Sequence, residues 1–414
     1  MCPKIQITAK GIRSALKKYT PYHSLAEYIW NGFDAKASEI KISYSADALG
    51  NIDSVTIEDN GYGIPHSKLQ EKFEPLFESK KALENKLKKN QSALHGKNGI
   101  GRLTFFTFAR NAVWRTTYKQ NNQNLTYDIY ANADNINFYT GINAIPKTTE
   151  LGTGTAAIFT GIHSITSSNL EEKFREFLLK EFAWFLALNE KRNFFISIND
   201  VKLDYSSIIS QSEEFQILHD KSETNFFLTY IQWSEKSSNE PSRYYYLDSE
   251  NKERWKEATA IKNKGEQFYH SVFIQSPYFD SFSFQGKPTE NQEALFSGNR
   301  SDAQFKFLRK KLANFLRIKR RPFLKSFAQD LLSQYGQQNI IPEEKSDKLE
   351  PTIKTLYEMQ PRFFAALNTE QKKLLIGCLD IILKSNNLEQ IPILLAKIVD
   401  LTEEEKQEIK SLFI

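Results

Sequence analysis

The segment at residues 27–35, E-Y-I-W-N-G-F-D-A, most constrains what this chain can fold into. On a helix its three polar side chains, Glu27, Asn31 and Asp34, recur at i, i+4 and i+7 and therefore share one face. An amide oxygen can ligate Mg²⁺ and a carboxylate can orient a water molecule, so this face suits a bound metal–phosphate group. An ordinary solvated helix face would show the same pattern, so the segment needs support from elsewhere in the chain.

Two possible helix starts precede this face. Thr20-Pro21 offers a threonine cap followed by proline at the first helical position. Ser24 and Glu27 also match a capping box, which would make Glu27 structural. We favour the earlier start, because it places Glu27 well inside the helix, where its carboxylate can face a ligand.

Three glycine motifs follow: E-D-N-G-Y-G-I at residues 58–64, H-G-K-N-G-I-G-R at 95–102 and L-G-T-G-T at 151–155. Asp59 comes directly after a predicted strand, and the glycines after it let the backbone pass close to a flat base. In the second motif, glycines ahead of a helix leave backbone N–H groups that favour phosphate oxygens. Each motif alone is also typical of an ordinary turn.

Taken together and in this order, the four motifs resemble those of the GHKL ATPase superfamily, which includes gyrase, the heat-shock chaperone, histidine kinases, MutL and MORC. The segment D-A-K-A-S-E-I-K-I at residues 34–42 is more similar to MutL or MORC proteins than to gyrase. The resemblance covers the first part of the chain, up to shortly after Thr155. It implies an α/β fold, the GHKL (Bergerat) sandwich with a mixed sheet, and an ATPase that uses ATP and Mg²⁺.

The resemblance also implies roles for single residues. Glu27 matches the general base, Asn31 the Mg²⁺ ligand, and Asp34 either a water-mediated nucleotide contact or a brace of the helix. Asp59 matches the carboxylate that accepts from the adenine amino group, and Thr155 the threonine that shares a water with it. The other predicted ATP-contacting positions are Gly61, Gly63, Ile64, Lys80, Gly96, Lys97, Asn98, Gly99, Ile100, Gly101 and Arg102.

The polar run at residues 80–91 lies where the family carries a mobile ATP lid, and Ser79-Lys80 resembles a pair in the lid of MutL-like members. By the same resemblance, ATP would close this lid and promote a homodimer through the N-terminal domain. A γ-phosphate sensor is expected from the second domain, usually a Lys or Arg on a loop. Lys287 and Arg300 are the candidates, because both lie in the polar loop at residues 285–301.

Composition and periodicity divide the chain into three predicted parts, at residues 1–163, 164–335 and 342–414. The resemblance implies that the first part is the ATP-binding domain and that the second, an α+β block, is a transducer-like domain with the basic helix. The third part is predicted to be a C-terminal helical region. The first part is predicted to open on a short strand around Ile5 and a basic turn. The further predicted strands are 40–44, 54–57, 113–118, 125–131, 155–159, 194–199, 201–205, 226–233, 244–248 and 269–275. The predicted helices are 99–109, 170–188, a long one from about Asp302, and 351–368, 370–385, 389–399 and 402–413.

A basic segment at residues 306–325 is the second chemical signal, because it contains nine Lys or Arg residues and no acid. The apolar stripe Phe305, Leu308, Leu312 and Phe315 would place these charges on the opposite helix face, where they could neutralise a nucleic-acid backbone without reading its sequence. A solvated surface helix is the alternative. The residues predicted to contact nucleic acid are Arg309, Lys310, Arg317, Lys319 and Arg320.

Overall composition narrows the class of protein only moderately. The net charge of +5 is too small to indicate nucleic acid by itself. Two widely separated cysteines, Cys2 and Cys378, suit a reducing cytoplasm, and no long uncharged apolar run predicts a membrane span. The resemblance to GHKL ATPases, for a stand-alone protein of this size, implies a role in bacterial genome maintenance or phage defence. The alternatives are a chaperone-like ATPase that acts on protein clients, and an ATP-binding switch subunit that does not hydrolyse.

Overall fold

The computed structural model describes residues 9–73, 101–136, 138–237, 240–259, 261, 267–284, 298–359, 361, 364, 367–385, 387–397, 407 and 411. The predictions for the strand around Ile5, for residues 80–91 and 96–100, for Lys287 and for the helix at 402–413 lie outside these residues. The chain divides into two compact units, one of residues 1–259 with 269–300 and one of 260–268 with 301–414. None of the described helices is long and apolar enough to cross a membrane.

The first unit is built on a large mixed sheet, which confirms the predicted α/β class. The described α-helices of five or more residues in this unit are α1 (Ala9–Leu16), α2 (Pro21–Asp34), α3 (Leu69–Phe73) and α4 (Arg175–Leu188). Its strands are β1 (Glu39–Ala46), β2 (Ile52–Asp59), β3 (Ala109–Gln120), β4 (Gln123–Asn132), β5 (Tyr139–Thr140), β6 (Lys147–Thr149), β7 (Gly154–Ile162), β8 (Phe195–Ile198) and β9 (Val201–Lys202). Their order is β5-β4-β3-β7-β2-β1-β8-β9, with β6 beside β4. Among the strands that the structure describes in this sheet, only the β1–β8 pair is parallel. Strands β8 and β9 come from the part of the chain predicted as the second domain.

A second sheet belongs to the same unit. It has five strands, and both antiparallel and parallel strand pairs occur in it. Its strands are β10 (Ile209–His219), β11 (Thr224–Trp233), β12 (Arg243–Leu247), β13 (Glu253–Ala258) and β14 (Tyr269–Gln275), in the order β10-β11-β14-β12-β13. Helix α4 packs on this sheet, since Trp184 stacks on Tyr245 with ring centroids 5.8 Å apart. Both side chains belong to one continuous apolar core that also includes the first sheet.

Helix α2 is held in place by aromatic packing against α4. Its apolar side chains Leu25, Ile29 and Phe33 are buried at helical spacing. Trp30 lies 4.5 Å from the Phe182 ring and donates a 3.1 Å hydrogen bond from Nε1 to a buried glutamate of α4. Burial of these large side chains fixes which face of α2 points away from the core.

The second unit is helical in the residues described. Its helices are α5 (Ala303–Gln337), α6 (Leu349–Met359), α7 (Thr369–Lys384) and α8 (Gln390–Ala396). Asn368 caps α7 in a reciprocal capping box with Gln371. Leucines and isoleucines at helical spacing form a separate core for the last turns of α5 and for α6 to α8. The prediction of C-terminal helices is therefore confirmed for α6, α7 and α8.

Several predicted elements are wrong in extent or type. Residues 9–16 form helix α1 instead of a basic turn, because Ile12 and Leu16 lie four residues apart and are both buried. The predicted helix at 99–109 is a 3₁₀ helix over Gly101–Thr107 in its described part. There the Thr104 and Thr107 hydroxyls donate to carbonyls three residues back, a local bond that competes with α-helical geometry.

The other differences concern interruptions and missed strands. The helix predicted at 170–188 carries a π-helical turn, Leu170–Phe174, before α4 begins. Strands β10 and β13 were not predicted, because their polar and charged residues (S-E-E and E-R-W-K-E) mask the alternation that marks a half-buried strand. In the fold, β10 is stabilised by backbone pairing with β11, and β13 by pairing with β12.

Candidate functional site

Helix α2 begins at the earlier of the two predicted starts, which confirms that choice. Thr20 is the N-cap, and its hydroxyl oxygen accepts a 3.4 Å hydrogen bond from the His23 backbone N–H. Glu27 and Asn31 therefore lie within the helix and are half-buried, whereas Asp34 is buried. Glu27 is therefore not part of the N-terminal cap of this helix.

The end of the second glycine motif lies directly against Glu27. A Cβ atom added to Gly101 would stand 2.7 Å from Glu27 Oε2, so only glycine fits here without displacing the carboxylate. Tyr28 fixes the approach, because its hydroxyl donates a 2.7 Å hydrogen bond to the Arg102 carbonyl. Backbone that can hold phosphate and a carboxylate that can activate water are thus brought together.

Helix α2 also touches the end of β2, where Asp59 lies. A Cβ atom on Gly32 would stand 2.9 Å from Asp59 Cβ and 2.5 Å from Ile40 Cδ1. Gly32 therefore permits helix α2, which carries Glu27 and Asn31, to lie directly against the end of β2. Gly32 was not among the predicted site residues. A signal was present, since a glycine inside a helix costs about 1 kcal/mol relative to alanine and so indicates a packing reason.

Asp59 occupies an environment that disfavours its charge. Desolvation raises the pKa of this carboxyl group to about 6, with a smaller contribution from Glu58. Backbone N–H groups of Gly61 and Thr155 oppose the rise, and the Gly61 N–H lies 2.8 Å from Asp59 Oδ1. A carboxylate that has lost water but keeps these two donors still has acceptor capacity for a ligand N–H.

Three polar side chains form a row across adjacent strands. Asp59 pairs with Thr155 of β7, and Thr155 pairs with Thr116 of β3, so all three point to the same face of the sheet. Thr116 is fully buried, and its Oγ1 lies 3.0 Å from Thr155 Oγ1. The Ile64 N–H donates a 2.8 Å hydrogen bond to Thr116 Oγ1 and so ties the first glycine motif to the row. Thr116 was not among the predicted site residues, because it belongs to no recognisable sequence motif.

Two glycines make the close approaches around this row possible. Gly63 has φ +69°, and a Cβ atom there would lie 2.1 Å from the Thr117 carbonyl oxygen. Gly154 has φ +154°, and its Cβ atom would lie 2.0 Å from the Asp59 carbonyl oxygen. Both positions exclude a side chain on steric grounds. The backbone of both motifs therefore lies against the strands that carry Asp59 and Thr116.

Arg102 contacts protein groups in this structure. Its guanidinium donates to the Phe73 carbonyl and lies 5.5 Å from the centroid of the Phe73 ring. Burial lowers the pKa of the guanidinium to about 10. The predicted phosphate contact of Arg102 would require the side chain to leave Phe73, and it stays a prediction.

Arg300 likewise has protein partners. It forms a 2.6 Å ion pair with Glu257 and lies 5.5 Å from the centroid of the Trp255 ring. These contacts hold the guanidinium on β13 of its own unit. A role of Arg300 in sensing the γ-phosphate would require Glu257 to be released.

The basic segment lies on helix α5, which begins after Asp302. Phe305, Leu308 and Leu312 are buried as predicted, and Leu316 continues this apolar stripe instead of Phe315. The Phe315 ring lies under Lys319, whose Nζ is 5.4 Å from the ring centroid. Lys306, Lys310, Lys311 and Lys325 are exposed, whereas Arg309, Arg317, Lys319 and Arg320 are half-buried. The buried positions recur every three or four residues, so the exposed lysines lie on the other face.

The arrangement fits a purine nucleotide with its metal and phosphates. Asp59 and Thr155 can meet the polar edge of a base, and the glycine backbone at Gly61 and Gly63 leaves room for its flat face. Helix α2 carries two further polar groups. Asn31 offers a hard oxygen ligand, and Glu27 offers a carboxylate beside the backbone of Gly101. Groups that could recognise a base and a carboxylate that could activate water are therefore carried by elements that touch one another.

Residues 19–153 match the family described as histidine kinase-, DNA gyrase B-, and HSP90-like ATPase. This part of the chain is therefore a GHKL ATPase domain, and the predicted superfamily and ATP hydrolase class are confirmed. No curated protein sequence matches the chain.

Solved structures that resemble the chain include three ATPase or repair-protein domains. One is the N-terminal domain of a DNA repair protein, at 11% identity and TM-score 0.34, covering 75% of this chain and 98% of that one. Another is the ATPase domain of the mismatch repair endonuclease MutL from Aquifex aeolicus, at 12% identity and TM-score 0.31, covering 67% and 96%. The third is the ATPase region of Saccharomyces cerevisiae topoisomerase II, at 12% identity and TM-score 0.35, covering 62% and 72%. These scores are too low to assign a function.

Proposed function

We propose that this chain hydrolyses ATP with Mg²⁺ at the site formed by α2 and the glycine motifs. Glu27 acts as general base, Asn31 ligates Mg²⁺, and Asp59 and Thr155 recognise adenine. The observation that supports this proposal is the contact of Gly32 with Asp59, because it brings the helix that carries Glu27 and Asn31 against the strand that carries Asp59. The Glu27→Gln variant tests it, as argued in the Discussion.

Mg²⁺ would be held by Asn31 together with phosphate oxygens and water. A neutral amide oxygen suits this position, because it ligates the metal without adding negative charge beside the phosphates. When bound, the metal neutralises the charge that develops on the transferred phosphoryl group. The chain's own contribution is to orient the amide, which α2 does by holding Asn31 one turn after Glu27.

Asn31→Ala should abolish the dependence of nucleotide affinity on Mg²⁺. We expect a non-hydrolysable ATP analogue to bind roughly tenfold more weakly to the variant when Mg²⁺ is present, since a metal ligand is lost. In EDTA the variant and wild type should bind equally, and calorimetric titration measures both. Asn135→Ala, at an exposed asparagine, is the matched control. Equal affinities of Asn31→Ala and wild type in Mg²⁺ would remove Asn31 from the metal site.

We further propose that the chain belongs to the MutL- or MORC-like branch and works as a nucleotide-dependent dimer. The support is the segment at residues 34–42 and the four motifs in their order. ATP binds better to a closed dimeric state in this proposal, and that difference in affinity drives the change.

For the partner we propose nucleic acid, bound through the exposed lysines of α5. The support is a helix that presents basic side chains and carries no acid between Ala303 and Gln329. Such a surface attracts the phosphate backbone by releasing counterions and does not distinguish sequences. Roles in genome maintenance or phage defence would follow from DNA as the partner.

Reversing three exposed lysines should weaken nucleic-acid binding. For Lys306→Glu, Lys310→Glu and Lys311→Glu combined, we expect lower affinity for all DNA sequences and a salt slope that is flatter by about one unit per lost contact. Fluorescence anisotropy with labelled duplex and single strands over a salt series measures both quantities. The buried stripe is untouched, so folding should persist.

A second triple variant controls for the change in net charge. Lys345, Lys348 and Lys373 are also exposed and lie on other segments of the second unit, so their reversal should leave DNA binding unchanged. Absence of binding by wild type to single- or double-stranded DNA or RNA at low salt would rule out the nucleic-acid partner. A protein client or a larger complex would then be the better hypothesis.

A further inference from the structure

Two side chains of α2 are hydrogen-bonded to opposite ends of the 3₁₀ helix Gly101–Thr107. In its first turn, the Tyr28 hydroxyl donates to the Arg102 carbonyl oxygen at 2.7 Å. At its last residue, the hydroxyl groups of Thr107 and Ser24 are hydrogen-bonded at 2.9 Å. Ser24 and Tyr28 are four residues apart and therefore lie on the same face of α2. The two elements are thus joined at two separate points.

Both of these α2 side chains are buried, so that water does not compete for their hydrogen bonds. Ser24 is fully buried, and Tyr28 is 5% exposed. The Tyr28 ring packs edge-on against Phe159 of β7, with ring centroids 4.7 Å apart, and this packing fixes the position of the hydroxyl group. Burial also raises the pKa of Tyr28 far above its ordinary value. The phenol therefore keeps the proton that it donates.

The end of the 3₁₀ helix that Tyr28 holds is the end that touches Glu27. A Cβ atom added to Gly101 would stand 2.7 Å from Glu27 Oε2. Gly101 and Arg102 are joined by a rigid peptide bond, and the Gly101 carbonyl also accepts a 2.7 Å hydrogen bond from Thr104 Oγ1. Movement of the Arg102 carbonyl would therefore change the separation between the Glu27 carboxylate and the backbone at Gly101.

We propose that Tyr28 is a positioning residue for hydrolysis: by holding the Arg102 carbonyl it keeps the backbone at Gly101, and with it a bound γ-phosphate, at the separation from Glu27 that aligns the attacking water. The inference rests on the proposed function, because it assumes that Glu27 is the base and that this backbone contacts phosphate. Alignment of a base with its water tolerates displacements of only about 0.5 Å. Binding of the triphosphate is less sensitive, because several backbone and side-chain groups share it.

Tyr28→Phe tests the proposal, because it keeps the ring and removes only the donor. We expect kcat for ATP hydrolysis to fall roughly ten- to a hundredfold, while affinity for a non-hydrolysable ATP analogue stays within about twofold of wild type. Ser24→Ala is the matched control. It removes a buried hydrogen bond between the same two elements at their other contact, and should lower the melting temperature without changing kcat. Phosphate release, calorimetric titration and thermal unfolding measure the three quantities.

Two further comparisons separate positioning from a merely structural role. If Tyr28 acts through Glu27, adding Tyr28→Phe to Glu27→Gln should slow hydrolysis no further. Tyr28→4-aminophenylalanine can donate to the same carbonyl and should restore kcat. Tyr28→4-fluorophenylalanine has nearly the size of tyrosine but no donor, so it should be as slow as Tyr28→Phe, and it replaces that variant if the phenylalanine protein does not fold.

The possible failures of the positioning role and of the proposed function are distinct. A wild-type kcat in Tyr28→Phe, an equal loss of rate with and without Glu27→Gln, or a loss of analogue affinity with kcat unchanged would each overturn the positioning role. Absence of hydrolysis by wild type, or undiminished hydrolysis by Glu27→Gln, would overturn the proposed function instead.

Discussion

Glu27→Gln should bind ATP as wild type does and hydrolyse it about 10²- to 10⁴-fold more slowly, the usual contribution of a general base. The amide keeps the size of the carboxylate and its fit beside Gly101, so the phosphate contacts should persist. It can no longer accept a proton from the attacking water. Steady-state phosphate release measures the rate, and titration with the ATP analogue measures binding.

The same variant also tests dimerisation, because blocked hydrolysis should leave the ATP-bound state in place. Light scattering should show more dimer for Glu27→Gln in ATP than in ADP. Glu172→Gln, at an exposed glutamate of the same unit, should match wild type in both measurements. Hydrolysis by Glu27→Gln within a few-fold of wild type would remove Glu27 from the role of base, and binding without hydrolysis by wild type would favour the switch subunit.

Asp59→Asn should weaken nucleotide binding roughly ten- to a hundredfold while stabilising the free protein. Binding suffers because the amide offers a donor edge where the adenine amino group needs an acceptor, a buried mismatch of about 1–3 kcal/mol. Stability rises because the asparagine removes a carboxylate that is costly to ionise in the folded state. Calorimetric titration and thermal unfolding of the nucleotide-free protein measure the two effects.

The raised pKa of Asp59 gives these effects a pH dependence of definite sign. Since the folded protein holds this proton up to about pH 6 and the unfolded chain loses it earlier, the contribution of Asp59 to stability falls as pH rises toward 6. The gain in melting temperature of Asp59→Asn over wild type should therefore grow from pH 4 to pH 6 and then level off.

Nucleotide affinity should follow the opposite trend, because the ionised carboxylate is the stronger acceptor. Wild-type affinity should fall as pH drops below about 6, and Asp59→Asn should lack this dependence. Val55→Ala, a core substitution on the same strand, should reduce stability without changing the pH profile of binding. A pH-independent wild-type affinity would mean that Asp59 does not contact the base.

The sequence determined the parts of the site that depend on local spacing and local conformation. A cap at Thr20 and a proline after it set the start of α2, and helical periodicity then places Glu27, Asn31 and Asp34 on one face. Glycines at Gly63 and Gly154 are needed at backbone positions that no side chain can occupy. Such features depend on a few neighbouring residues and can be recognised without tertiary structure.

Only the tertiary structure decided which residues meet across long separations in the chain. Thr116 lies 39 residues from Thr155 and 52 from Ile64, and strand register alone brings their polar groups together. Gly32 has a low intrinsic helix propensity, and only the fold shows that the end of β2 lies against it. Arg102 carries the charge expected of a phosphate ligand, yet its position beside Phe73 follows from packing. Register and packing are set by the whole core, whose contacts no local pattern encodes.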